Sequence, residues 1–187
     1  VIYTRWEYVD KGLGNGQGLW AVRPDGSGVD HVYKNNTVYP AGMSGARSIP
    51  GSRRLVTIGG NHHNTAIGPV VLVDTGRSRR TLEPLECITP EIGYPPSMGY
   101  PETGFGTFMD PYPFSEKFFL VSHDPRAKHG GQNGFGIYVL DAWGNRAELY
   151  RDPDLSCFEP RPLRPRRKPA EVAAVAAKED AVVAGEK

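Results

Sequence analysis

Apolar positions in this chain fall in short runs of about four or five, separated by glycine, proline and Asp/Gly turns, and the order repeats. Residues 134–150 (GFGIYVLDAWGNRAELY) open on glycines and carry Ile137, Tyr138, Val139 and Leu140. They reverse at an Asp-x-x-Gly turn and leave through a second run from Ala147. That is the pattern of a β-hairpin. It recurs at 18–33 (GLWAVRPDGSGVDHVY) and at 68–85 (GPVVLVDTGRSRRTLEPL).

Between the hairpins a second element recurs, at 48–60 (SIPGSRRLVTIGG) and 111–124 (PYPFSEKFFLVSHD). Matching Pro50 to Pro113 and Ser52 to Ser115 sets residues 55–58 against 118–121 as the same strand of successive units. Each unit then reads as a weak leading strand, a strong apolar strand, a loop, the first hairpin strand, a turn and an outer polar strand. Four antiparallel strands repeating at roughly 40–50 residues predict β-propeller blades.

The expected fold is therefore all-β, a partial β-propeller of about three four-stranded antiparallel blades over 1–160, at about 1–34, 35–89 and 90–152. The first blade lacks its opening strand, and 155–160 is expected to start a further one. Three blades do not close a ring, for which about four to eight are typical. The chain opens in mid-strand at Val1, which predicts a fragment of something larger, or else assembly with other copies. Residues 161–169 form a basic proline-rich linker, and the Ala-rich 170–187 a flexible or helical tail.

Residues 90–110 hold four prolines, four glycines and no alternation. Such a loop is expected either to pack on its own blade or to present Tyr94, Tyr100, Phe105 and Phe108 to a partner or ligand.

Charge narrows the partners. Five of the 22 basic residues (Arg161, Arg164, Arg166, Arg167, Lys168) crowd one short stretch, leaving 17 basic against 21 acidic residues elsewhere. A nucleic-acid surface is not expected on the folded part. No apolar run approaches the roughly 20 residues of a membrane helix. Cys87 and Cys157 stand alone, with no C-x-x-C or C-x-x-C-H, so they announce neither a zinc ribbon nor a covalent haem.

The candidate chemistry lies where the strong strands end. The repeat puts those ends on one rim, which groups Arg5, Trp6, Glu7 and Tyr8 with His62, His63, His123 and Asp124. Imidazole with a carboxylate suits zinc or another divalent metal, so His62, His63, His123 and Glu7 are the candidate ligands. His62 and His63 are adjacent and point to opposite faces in an extended strand, so at most one joins the others. The plainer alternative is that these histidines hydrogen-bond loop carbonyls or face solvent.

Other groups offer less. Ser44 in GMSGA fails G-x-S-x-G, and the glycines of 11–18 fail G-x-G-x-x-G. Cys157 has no histidine near it in sequence. The pairs Glu83 with Glu86 and Asp152 with Asp154 read as solvated faces.

Several stretches together carry a resemblance: RWEYVD (5–10), RPDGSG (23–28), IPGSRRLVTIGGNHHNTAIGPVVLVD (49–74), ITPE (88–91), PYPFSEKFFLVS (111–122), GIYVLDAWGN (136–145) and SCFEPRPLRPRRKP (156–169). They resemble the middle domain of the hydrazine synthase α subunit family, bacterial proteins whose middle domain is a TolB/PD40-like propeller. The resemblance implies a periplasmic or extracellular setting and partnership with other domains or subunits. It implies c-type haem chemistry carried on C-x-x-C-H motifs. This sequence has none, and it turns Ala-rich where the family continues into its haem domain, so haem is expected only if another domain or chain supplies it. The expected function is a non-catalytic scaffold or interaction module; the alternative is a component of a haem- or metal-dependent redox enzyme.

Overall fold

The computed structural model describes residues 1–7, 17–34, 37–62, 66–95, 104–126, 134–165, 168 and 171. These contain strands and turns but no helix. Eleven strands form three antiparallel sheets. The first has three strands, β1 (Ile2–Trp6), β2 (Gln17–Ala21) and β3 (Asp30–Tyr33). The second is a meander of four: β4 (Gly42–Ser48), β5 (Arg54–Gly60), β6 (Val70–Asp74) and β7 (Leu85–Cys87). The third repeats it as β8 (Thr107–Pro113), β9 (Phe118–Asp124), β10 (Gly136–Asp141) and β11 (Arg146–Tyr150). The sheets stack face to face, with β5 on β8 and β1 on β4. No sheet closes on itself, and the arrangement is that of successive blades in a partial propeller.

Local chemistry explains the hairpins. β-Branched Val70, Val71 and Val73 favour the extended backbone. The Asp74 carboxylate then accepts the Gly76 N–H, and Asp141 accepts the N–H groups of Trp143 and Asn145, fixing each reversal as an Asx turn. Burial of the middle strands joins the sheets. Leu55, Val73 and Met43 meet Leu19 and Tyr33 between the first and second sheets. Val56, Ile58, Val70 and Leu72 meet Phe108, Phe119, Val121, Tyr138 and Leu140 between the second and third.

The repeat register corrects the sequence alignment by one residue. Ser48 and Val73 flank Leu55, whereas Pro113 and Leu140 flank Phe119. The counterpart of Leu55 is therefore Phe119, not Phe118. Five residues (49–53) separate β4 from β5 and four (114–117) separate β8 from β9, so the second turn is one residue shorter. A slip of one reverses every side chain. Leu55 and Phe119 are 4% and 0% exposed, whereas Phe118 is 48% exposed.

Two further expectations change. Phe108, read as part of an irregular loop, lies on β8 in the core. Residues 155–160, expected to start a strand, lie in no assigned strand. They instead run back beside β8, where Cys157 N–H donates to the Phe135 carbonyl and Glu159 N–H to Asp110 Oδ2. The expected tail beyond residue 171 lies outside the described residues.

Gly68 stitches the second sheet to the third: its N–H and carbonyl both pair with Phe108, at 3.2 and 3.1 Å. Its φ is 157°, and a Cβ there would collide with the Gly59 carbonyl. Gly68→Ala is expected to cost at least about 2 kcal/mol, from backbone strain plus loss of this bridge. Urea unfolding of the variant checks it; an unchanged midpoint would show that the two sheets do not depend on this contact.

Candidate functional site

The ends of β1, β5 and β9 do fall on one rim, but the two described histidines occupy different clefts. His62 follows β5 and is buried between the first two sheets, where its ring meets Trp6 edge to face at 4.9 Å. Its carbonyl accepts the Gln17 side-chain amide at 3.0 Å. Glu7, just past β1, pairs with Arg5 at 3.2 Å. His123 closes β9 between the second and third sheets. His63 and Tyr8 lie outside the described residues. Among the described residues, no three His, Cys, Asp or Glu side chains come together as a metal-binding group.

His123 has the most unusual surroundings. It is 1% exposed, stacks on Phe108 at 4.1 Å and meets Tyr138 edge to face at 5.0 Å. Nδ1 lies 2.8 Å from the Thr107 carbonyl, which can only accept, so the proton belongs on Nδ1. Nε2 is then an acceptor, buried with no hydrogen-bond partner. Desolvation pushes the imidazole pKa down to about 4, and the nearby Arg146 and Arg151 guanidiniums push it in the same direction. At neutral pH the ring is uncharged.

The cations near it are held by carboxylates. Arg146 lies over the Phe108 ring at 5.4 Å and pairs with Glu91. Arg151 donates to the Tyr138 hydroxyl at 2.9 Å and pairs with Glu148 at 2.9 Å. Asp124, also buried, accepts the Arg126 N–H. A Cβ at position 134 would strike the Asp124 carboxylate, which explains a glycine there. This end of β9 is a packed polar layer over an aromatic core.

The lesser candidates have structural duties. Glu83 pairs with Arg77 and Glu86 with Arg54. Asp152 accepts the N–H groups of Asp154 and Leu155. Ser44 sits on β4, where its carbonyl accepts the Thr57 hydroxyl. Both cysteines are free thiols, and burial pushes Cys87 up. Of the loop aromatics, Tyr94 lies against Gly59 and Phe105 is exposed, while Tyr100 lies outside the described residues.

Sequence reasoning expected a weak leading strand in each unit but did not place its residues, which are β4 and β8. Arg47 on β4 sits 5.9 Å from the Tyr112 ring of β8. Beside them a cavity of about 350 Å³ is lined by Val1, Ile2, Ala46, Arg47, Tyr112 and Pro113. Asp110 on the same strand has φ 49°, and burial raises its pKa. The available signal was the shared Asp/Glu-Pro-x-Pro of residues 110–113 and 159–162.

No family model matches this sequence, and no curated protein matches it. Among solved structures the fold is similar to Kuenenia stuttgartiensis hydrazine synthase, with a TM-score of 0.54 and 20% identity over 75% of this chain. At that identity the likeness is one of fold. The matched part is 16% of that protein's chain. Among the described residues no helix is long and apolar enough to cross a membrane.

Proposed function

We propose that this chain is a non-catalytic β-propeller module of the TolB/PD40-like kind, a scaffold that holds other domains or subunits against its sheet faces. The observation that carries this reading is the far face of the third sheet. By register, Leu120, Ser122, Ile137 and Val139 take the places that Val56, Ile58, Val70 and Leu72 take on the second sheet, and those four carry the third sheet. On the far face Ile137 and Val139 stay half-buried, and Phe118 and Leu149 are 48% and 59% exposed. A face shaped for burial and left partly open is a binding surface. The motif resemblance supports a role beside a redox domain in a periplasmic or extracellular setting.

One observation favours the second reading, a component of a haem- or metal-dependent redox enzyme in which a rim histidine binds a divalent metal. His123 is anchored through Nδ1 on the Thr107 carbonyl and keeps a buried Nε2 acceptor, as metal-bound histidines commonly do, with one ring nitrogen held by a carbonyl and the other left to the ion.

Metal analysis of the purified chain separates the two. A stoichiometric divalent ion, lost in His62→Ala, His63→Ala and His123→Ala, overturns the scaffold reading. Metal-free protein that binds a defined partner domain, with binding weakened at least about tenfold in Phe118→Ser/Leu149→Ser at unchanged melting temperature, supports it.

A further inference from the structure

The basic proline-rich run, PRPLRPRR at 160–167, stands outside the three sheets. Pro160 is buried and Pro162 half-buried, whereas Arg161, Leu163, Arg164 and Pro165 are exposed, Leu163 completely. Residues 160–165 lie in no strand or turn, and among the described residues they make no backbone hydrogen bond. Side chains alone tie them to the fold. Arg161 pairs with Glu159 at 2.8 Å, and Arg164 donates to the Tyr112 hydroxyl at 3.3 Å.

Proline accounts for such a backbone. Pro160, Pro162 and Pro165 fix φ at about −65°, carry no N–H and push the residue before each of them toward the extended region. A segment built that way takes the polyproline II form, with about three residues per turn and its backbone groups left to solvent. That period sorts the run by chemistry. Positions 160 and 163 share one edge, 162 and 165 a second, and 161, 164 and 167 the third. Two edges are therefore apolar, Pro160 with Leu163 and Pro162 with Pro165, and the third is arginine throughout. No acidic residue occurs from 160 to 170, against the five basic residues of 161–168.

We propose that residues 160–167 are a docking arm, read in the polyproline II conformation by an aromatic groove with an acidic rim on a partner protein. Aromatic rings of the groove pack on the two apolar edges. Carboxylates on its rim face the arginine edge, where a planar guanidinium pairs through two parallel hydrogen bonds. The prolines hold the bound conformation in advance, so docking costs little further chain entropy. This inference goes beyond the scaffold reading and rests on the arm alone, not on the far face of the third sheet. Nucleic acid needs only the charges. It leaves the threefold order of proline and arginine without a use, and the acidic excess of the folded part repels phosphate.

Isolated SH3, WW and EVH1 domains serve as probes, each titrated with the full 187-residue chain in roughly 0.15 M salt. At least one is expected to bind, with its chemical-shift changes centred on the groove aromatics. Pro162→Ala/Pro165→Ala is expected to weaken that binding at least about tenfold at an unchanged melting temperature. Arg164→Gln/Arg167→Gln is expected to weaken it and to flatten its salt dependence. One glycine inserted after Leu163 keeps every proline and every charge but turns residues 164 onward by about a third of a turn. It is expected to cost as much as the double proline variant. Failure of all three domains to bind overturns the proposal. So does binding that survives the proline variant and the insertion but disappears with the arginines, or equal affinity for a thymidine oligonucleotide with that same pattern of losses, since either result means that charge alone is read.

Discussion

Phe108→Ala is expected to destabilise the chain by about 3–5 kcal/mol, the range for emptying a buried aromatic site. For a domain of this size that lowers the melting temperature by roughly 6–20 °C. The ring is fully buried, stacks on His123, touches the Arg146 guanidinium and closes the core between the second and third sheets. Its neighbour in sequence offers the control. Phe105 is 52% exposed, and Phe105→Ala is expected to move stability by no more than about 0.5 kcal/mol. Calorimetry or urea unfolding of both variants reads the difference. Equal effects would mean that β8 does not begin where it is placed and that residues 104–110 are one irregular loop after all.

That comparison shows where sequence was informative. Strands with several consecutive apolar residues and an Asx turn, such as Val70–Asp74 with Gly76, are visible because local propensity and burial agree. The innermost strands are not. Gly42–Ser48 and Thr107–Pro113 carry glycine, proline and charge, because a register shift at Gly45 and Asp110 breaks the alternation and one flank faces the neighbouring inner strand. Such a strand looks like a loop until its partner is known. The one-residue alignment error has a similar origin. Pro50 and Pro113 look alike in sequence but sit on opposite sides of a turn boundary, since β8 includes Pro113 and β4 stops at Ser48. At the rim, sequence located the histidines near strand ends but could not separate the clefts. That separation depends on sheet stacking, which no local pattern encodes.

The second large effect belongs to His123 and pH. Its imidazole titrates near 6.5 in the unfolded chain and at about 4 in the fold, because burial disfavours the cation. The unfolded state therefore binds more protons between those values, and stability falls as pH drops through that window. From neutral pH to about pH 4 this one group is expected to remove about 3 kcal/mol, at roughly 1.4 kcal/mol per unit of displacement. His123→Phe keeps an aromatic ring between Phe108 and Tyr138 but leaves the Thr107 carbonyl without its donor. At neutral pH that variant is expected to be less stable than wild type by about 1–3 kcal/mol. Its stability loses the steep dependence between pH 6.5 and 4, so the two curves approach and cross near the acid end of that window. Carboxylates such as Asp74 and Asp141, whose partners hold them below the usual range, weaken the fold further into acid, but they do so in both proteins and cancel in the difference. Urea midpoints at half-unit steps of pH, with a chelator present, measure that difference directly. Parallel curves would mean that the buried imidazole accepts its proton in the fold as readily as in water, and that the Phe108–His123–Tyr138 stack is open to solvent.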